Sequence, residues 1–389
     1  MKILYIVSGF APAWRLGGGV RASYELSKEM ASRGHDVAVY TTDLLDHKRR
    51  INYKYKNWEG VNTYYFKTIS NYLAKRQFNF SPKIMYYLMK NISSFDIVHI
   101  HEYRTVNSTL TAYFAKKKGI PYIIQAHGSV STTVGMIKLK KLYDLLIGHN
   151  ILKNASKVVA LNEMEVRQYL EMGVDENQIE IVPNGINVSD FKNLPTKGIF
   201  KRKYGIKEDE KIILFLGRIN KIKGIDLLIS AFFDLIQKFQ NVKLVIVGPD
   251  DGFRSTLERQ IKDLTIENLV VFTGPLYEHD KLEAYVDADV YVLPSRYEMF
   301  PNTVLEACVC GSPVIVTDKC GISDIVDNTF GYTVIFNKEI LSNSMYKILS
   351  DENLAKKFSE TGVKLVKESF EWACIAKQME NVYVKIFKV

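Results

Sequence analysis

Val290-Tyr291-Val292-Leu293-Pro294-Ser295-Arg296-Tyr297-Glu298-Met299-Phe300-Pro301-Asn302-Thr303-Val304-Leu305-Glu306 reads as a short apolar strand, a proline-marked turn and the start of a helix, and a second apolar run, Pro313–Thr317, follows it. Strand, helix and strand in that order make a βαβ unit with parallel strands. Within the turn, Glu298 and Glu306 stand eight residues apart. Pro301 lacks a backbone donor and suits the first turn of a helix, so Asn302, Thr303 and Val304 are expected to present amides that no helical carbonyl can satisfy. The positive end of the helix dipole lies there, and such an end binds phosphate. Glu298 then hangs in the loop before the helix and Glu306 lies about one turn inside it. Both can reach a ligand seated on the amides, one holding a transferred group and the other a ribose. Acidic residues also populate first turns simply to complement the dipole, so the pair alone leaves both readings open.

A second constellation favours the ligand. Phe215-Leu216-Gly217-Arg218 ends another apolar strand, and Lys223-Gly224 opens the next helix. Arg218 and Lys223, five positions apart across a strand-helix loop, are expected to point at one anionic group.

Short apolar strands alternate with amphipathic helices along nearly the whole chain, which predicts parallel sheets covered by helices on both faces. In the first half the expected strands are 2–10, 36–42, 61–67, 96–101, 121–125, 157–161 and 179–182; in the second they are 211–216, 242–247, 269–273, 290–293, 313–317 and 332–336. The 389 residues exceed what one core usually supports. The alternation restarts after Pro183-Asn184-Gly185-Ile186-Asn187, so the reading divides the chain into a domain over 1–187, a second over 188–370, and a last helix over 371–389 crossing back to the first. Two doubly wound, Rossmann-like domains joined in this way face each other across a cleft at the carboxyl ends of their strands, where such folds bind ligands. In the first domain, Gly17-Gly18-Gly19 follows the first strand and permits close backbone approach. A plain turn would explain it equally. His127, with Gly128, follows the strand at 121–125 and is placed to bond a sugar hydroxyl or to serve the structure. His99 and His101 share one face of a strand and read as structural, lacking a third metal ligand nearby.

Apolar content of 47% and charged content of 24% belong to a globular chain. Cys308, Cys310, Cys320 and Cys374 fit neither a disulfide framework nor a metal set. The opening Met1–Ala13 imitates a signal peptide, but a glycine loop and an amphipathic helix follow at once, so it reads as a buried strand. The expected location is the cytoplasm. The net charge of +9 concentrates between residues 47 and 91, where ten Lys or Arg face Glu59 alone. Aromatic residues interleave with these charges. Residues 48–90 therefore suit an anionic membrane surface or a phosphate-bearing acceptor, or form a solvated face over ordinary core. No recognition motif points to nucleic acid.

In their shared order these pieces, with Val182-Pro183-Asn184-Gly185-Ile186, Thr273-Gly274-Pro275-Leu276 and Ala307–Ile315, resemble the retaining nucleotide-sugar glycosyltransferases of the GT-B fold that carry the E-x7-E motif (group 1, family 4). The resemblance covers almost the whole chain. It implies that the donor lies mainly on the second domain, with Arg218 and Lys223 neutralising its diphosphate and the amides of Thr303 and Val304 capping it. Glu306 would accept the ribose hydroxyls, Leu276 would neighbour the base, and Glu298 with Met299 and Phe300 would hold the sugar. His127 would reach the sugar from the first domain, beside Gly18 and Gly19. Met299 departs from the small residue usual there. The implied reaction is metal-independent and needs no cofactor. A UDP-sugar is the favoured donor, GDP-mannose the second; the acceptor is a glycan or polyprenyl-linked chain at the inner membrane face. A sugar-phosphate synthase or phosphorylase on the same fold, and a non-catalytic two-lobed sugar-binding module, are the competing readings.

Overall fold

A computed structural model describes residues 1–46, 48–70, 80–131 and 137–387. The chain divides into two compact units, residues 1–185 with 372–389, and residues 186–371. The division falls before Ile186 rather than after Asn187. Ile186 pairs with Glu371, and its amide donates to the Phe370 carbonyl at 2.7 Å, which commits it to the second unit.

The first unit holds eight strands: β1 (Lys2–Ile6), β2 (Asp36–Thr42), β3 (Tyr55–Trp58), β4 (Val61–Phe66), β5 (Ile97–His101), β6 (Tyr122–Gln125), β7 (Lys157–Ala160) and β8 (Ile179–Ile181). Their order is β3-β4-β2-β1-β5-β6-β7-β8, parallel throughout except for β3. Successive residues of a strand point to opposite faces, and β1 shows it. Leu4 and Ile6 join one core with Ile84, Leu88, Ala112 and Leu152. Ile3 and Tyr5 join the other with Leu26, Met30, Ile375 and Met379. The last helix, Trp372–Phe387, thus belongs to the first unit, where it packs beside helix Gly18–Ser32.

Sequence reading missed β3. Its lysine, tyrosine and tryptophan read as part of the basic segment, whereas the fold uses them as an exposed antiparallel edge, where lysine discourages further pairing. Lys56 lies over the Trp58 ring at 3.7 Å. Of the remaining basic segment, His47, Tyr72, Lys75, Arg76 and Phe78 fall outside the described residues.

The second unit is a six-stranded, wholly parallel sheet in the order β11-β10-β9-β12-β13-β14, from β9 (Lys211–Leu216), β10 (Val242–Val247), β11 (Val270–Gly274), β12 (Val290–Leu293), β13 (Val314–Thr317) and β14 (Gly331–Val334). The central strands β9 and β12 are almost wholly apolar and buried, as a sheet covered on both faces requires.

His99 and His101 stack at 4.2 Å between ring centroids. Nδ1 of His99 bonds the Tyr383 hydroxyl at 2.7 Å, and that hydroxyl bonds Tyr5 at 2.8 Å, tying the last helix to the sheet. Among the described residues no cluster of three or more His, Cys, Asp or Glu could hold a metal ion. Burial keeps His99 neutral, its pKa pushed down to about 3 from 6.5. The unfolded chain therefore binds a proton that the folded chain refuses between those values, and stability falls as pH drops through that window, by up to about 1.4 kcal/mol per pH unit. The three tryptophans, Trp14, Trp58 and Trp372, all lie in the first unit, so their fluorescence during urea unfolding isolates it. The midpoint is expected to fall between pH 7 and 5 less steeply for His99→Gln than for the wild type; identical slopes would contradict a neutral buried imidazole. Met379, fully buried beneath the last helix, is expected to cost about 2–5 kcal/mol on replacement by alanine, read by the same fluorescence.

Candidate functional site

The chemistry-bearing residues of the second unit gather on loops that follow its strands. Gly224 has φ 69°, and a Cβ on it would lie 1.9 Å from the Pro294 carbonyl oxygen, so only glycine lets the loop after β9 press on the end of β12. Arg296 fastens the same junction. Its guanidinium meets both oxygens of Asp226 at 2.9 and 2.7 Å, its amide donates to Ile222 at 2.7 Å, and its plane lies 4.5 Å from the Phe336 ring centre. Glu298 is held from the other side, its amide donating to Lys319 at 3.0 Å and its carbonyl accepting from Gly321 at 2.8 Å. Its carboxylate meets the Lys223 ammonium. Both side chains are about one-fifth exposed, partly desolvated yet open to a ligand.

The next helix, Asn302–Val309, starts one residue later than expected. Pro301 is extended (φ −84°, ψ 100°) and acts as the cap, its carbonyl accepting from the Val304 amide at 3.0 Å. Val304's amide is thereby engaged at the helix start, while those of Asn302 and Thr303 belong to the first turn, whose amides have no helical acceptor. The Tyr291 hydroxyl donates to Thr303 Oγ1 at 2.7 Å and lies 3.1 Å from the Leu216 carbonyl, pinning the helix tip to the end of β9. Oδ1 of Asn302 and Oγ of Ser295 are buried and have no hydrogen-bond partner among the described residues. Glu306 accepts from Tyr285 at 2.9 Å on one oxygen and pairs with Lys281 at 2.9 Å on the other.

Two-thirds exposed, Arg218 pairs with Asp251 at 3.1 Å, an oxygen it shares with Asn220. It does not share an acceptor with Lys223. Met299 and Phe300 are buried, Phe300 with its ring 6.2 Å from Phe370; Leu276 is half-buried, beyond Gly274 at φ 76°.

His127, Gly18 and Gly19 lie in the first unit. His127 is left-handed at φ 50°, with Nε2 on Nδ1 of His101 at 2.8 Å and its own Nδ1 buried without a partner among the described residues. Burial lowers its pKa to about 4, so the ring is a neutral hydrogen-bonding group at pH 7. Gly128 donates to Glu165 at 2.6 Å. Gly18 and Gly19 open the helix Gly18–Ser32, and a Cβ on either would meet no atom within 4 Å. Packing therefore does not require glycine at either position. Glu102, directly after β5, was not expected. It is left-handed at φ 74°, takes a hydrogen bond from Ser8, and burial raises its pKa to about 7. Lys281, Tyr285 and Tyr291 were missed too: the tyrosines read as core, and nothing near Lys281 in sequence points at Glu306.

Residues 16–190 match the model of Glycosyltransferase Family 4, and residues 196–365 that of Glycosyl transferases group 1. An uncharacterised glycosyltransferase of Methanocaldococcus jannaschii is 29% identical over 400 residues, covering 98% of both chains. N-acetyl-alpha-D-glucosaminyl L-malate synthase of Bacillus anthracis is 26% identical over 382 residues, 96% of this chain and 95% of that one. Among solved structures, HepE of Anabaena in complex with UDP matches with a TM-score of 0.79 over 99% of this chain and 100% of that one; at 17% identity it speaks for the fold. Two consecutive family matches, one over each sheet unit, together with a full-length glycosyltransferase relative, show that the chain belongs to the group 1, family 4 glycosyltransferases of the GT-B fold.

Proposed function

We propose that this glycosyltransferase takes a sugar from a nucleotide-sugar donor, with UDP favoured over GDP, and transfers it with retention, without a metal, to a glycan or polyprenyl-linked acceptor in cell-surface polysaccharide synthesis. The observation that carries the donor half is the junction in the second unit, where Lys223, Glu298, the Asn302–Thr303 helix tip and Glu306 are each fixed by separate contacts. UDP in the HepE neighbour supports the nucleotide.

In the resting chain Glu298 occupies Lys223. A donor diphosphate competes for that ammonium, and the helix tip adds amides and dipole to the same anion. Glu298, released, can accept sugar hydroxyls, while Glu306, oriented by Tyr285 and Lys281, keeps an acceptor for ribose hydroxyls. As the anomeric bond breaks, negative charge grows on the departing diphosphate, and preorganised cations and amides stabilise it more than they stabilise the bound donor. Arg218, exposed beside Asp251, can swing to join Lys223. Those two cations take the part that a divalent ion would otherwise play. Attack from the face that the diphosphate leaves, with a phosphate oxygen assisting removal of the acceptor proton, retains the configuration.

The acceptor belongs, in this reading, at the cytoplasmic membrane face, motivated by the basic surplus of residues 48–90. A small hydroxylated acceptor, as in a sugar-phosphate synthase, is the second reading; the name of the Bacillus anthracis relative, which contains malate, favours it.

Lys223→Ala and Arg218→Ala are each expected to lower kcat by roughly 10²–10³ in steady-state assays with UDP-sugars. Wild-type turnover in either would remove that residue from leaving-group stabilisation. Glu306→Ala is expected to weaken nucleotide binding chiefly, measured by calorimetry with UDP; unchanged affinity would sink the ribose assignment.

A further inference from the structure

The helical run Ile137–Tyr143, Asp144–Gly148 and His149–Lys153 in the first unit carries its apolar residues on the wrong side for a helix facing water. Leu145 is 73% exposed, Leu146 69%, Leu142 52% and Leu139 46%, with Ile137 and Ile147 close behind. Positions 139, 142, 145 and 146 recur at helical spacing and so form one stripe. The inward side is completed by Ile151 and Leu152, which enter the core, and by Asp144, which is buried on Arg104 at 2.6 Å and on Tyr103 at 3.1 Å. The helix is thus already anchored, and the stripe is surplus to its packing. Exposed apolar stripes of this kind mark binding surfaces.

The surroundings say what covers it. Helices Pro82–Asn91, Val106–Lys118 and 149–153 send Ile84, Leu88, Ala112, Ala115, Ile151 and Leu152 into one core, so they lie on the same face of the sheet. Their outward sides show Tyr86 (59%), Met89 (53%) and Tyr113 (57%). Lysines stand among these residues: Lys83 and Lys90, the run Lys116–Lys118, and Lys138 and Lys141 on the helix itself. The one carboxylate on the three helical stretches is Asp144, and it is turned inward. Apolar side chains that can sink, tyrosines that favour an interface, and cations without competing acids fit the surface of an anionic bilayer. A protein partner would equally cover leucines, yet would not call for three helical stretches without an outward carboxylate; helix Glu163–Glu171, which sends Tyr169 into the same core, bounds the patch beyond His149 with exposed Glu163 and Glu171.

We propose that this face docks on anionic lipid, with Leu142, Leu145 and Leu146 entering the headgroup boundary and Lys138 and Lys141 meeting lipid phosphates. It rests on the membrane-side acceptor reading and moves its principal contact from residues 48–90 to the helix at 137–150. The test is sedimentation of the full chain with vesicles of phosphatidylcholine alone and of phosphatidylcholine mixed equally with phosphatidylglycerol, at low and high salt. The wild type is expected to sediment with the anionic vesicles, less so at high salt. Leu145→Asp with Leu146→Asp, both exposed and so tolerated by the fold, is expected to cut binding by at least roughly tenfold with the melting temperature and UDP affinity unchanged. Lys138→Gln with Lys141→Gln is expected to flatten the salt dependence. Vesicle binding that survives the double aspartate variant but falls with Lys54→Gln and Lys56→Gln overturns this surface and keeps the membrane reading. A wild type that ignores both vesicles overturns both, and leaves the donor chemistry to its own calorimetric test. Self-association that the aspartates abolish, seen by sedimentation velocity without vesicle binding, assigns the face to a second copy of the chain and overturns the lipid proposal.

Discussion

The second unit depends on two places where backbone meets backbone with no side chain between. Gly224 lies against the Pro294 carbonyl, and Gly248, at φ 147°, lies against that of Gly217, where a Cβ would stand 1.8 Å from the oxygen. These contacts join the ends of β12 and β10 to the loop that leaves β9. Parallel strands already set the strand ends side by side; the glycines let the loops above them close to contact. Lys223 precedes one of those glycines, and Arg218 follows the residue that the other touches. A methyl group at either glycine would stand 1.9 or 1.8 Å from a carbonyl oxygen, so the loops would have to part by about 1 Å or more before ordinary contact is restored, and the side chains they carry would move with them. Backbone fit therefore comes before electrostatics here.

That order explains what could be read from sequence. The sheet strands were legible because a parallel sheet covered on both faces leaves its strands as apolar runs bounded by breakers, and β9, β10 and β12 begin and end where those runs do. Strand β3 was not legible, since an exposed edge keeps only one neighbour and fills with charged and aromatic residues. Glu298, Lys223 and Glu306 stood out because charged groups of both signs gather at two strand-helix turns, although a carboxylate alone has an ordinary use in complementing the dipole. Their partners did not. Tyr285 and Tyr291 sit in apolar patterns that any core shares, and their hydroxyls acquire meaning only when folding brings a carboxylate or a threonine against them. Lys281 reaches Glu306 from a different helix, a contact that local spacing does not encode. The one-residue displacement at Pro301 belongs to the same class: proline suits both the cap and the first turn, and the extended ψ that decides between them is set by tertiary packing of the loop.

Resting electrostatics also differ from what a list of charges suggests. Lys223, Arg218 and Glu306 each have a partner of opposite sign or a hydroxyl before any ligand arrives. An unpaired, partly buried charge is costly, so a site built to receive an anion holds its cations on internal carboxylates until then. Binding becomes exchange of one anion for another, and net affinity reflects the difference. Under the donor reading proposed above, that difference would grow, because a diphosphate carries more charge than the Glu298 carboxylate it would displace. Asn302 and Ser295 mark the same place from another direction. Their buried oxygens represent hydrogen-bonding capacity that no other described residue uses.

The first unit invites a parallel argument about surplus. Its sheet is satisfied on one face by helices Gly18–Ser32 and Trp372–Phe387, and on the other by helices that bury only their inward residues. Folding alone asks for polar residues on the outer sides of those helices, because exposed leucine contributes nothing to the core and raises the risk of aggregation. Helix Glu352–Ser369 of the second unit follows that rule, with lysines and glutamates alternating along its exposed side. The run at 137–150 breaks it while keeping its single acid inside. A chain that patterns one surface helix by the rule and another against it is using the second for something other than its own stability.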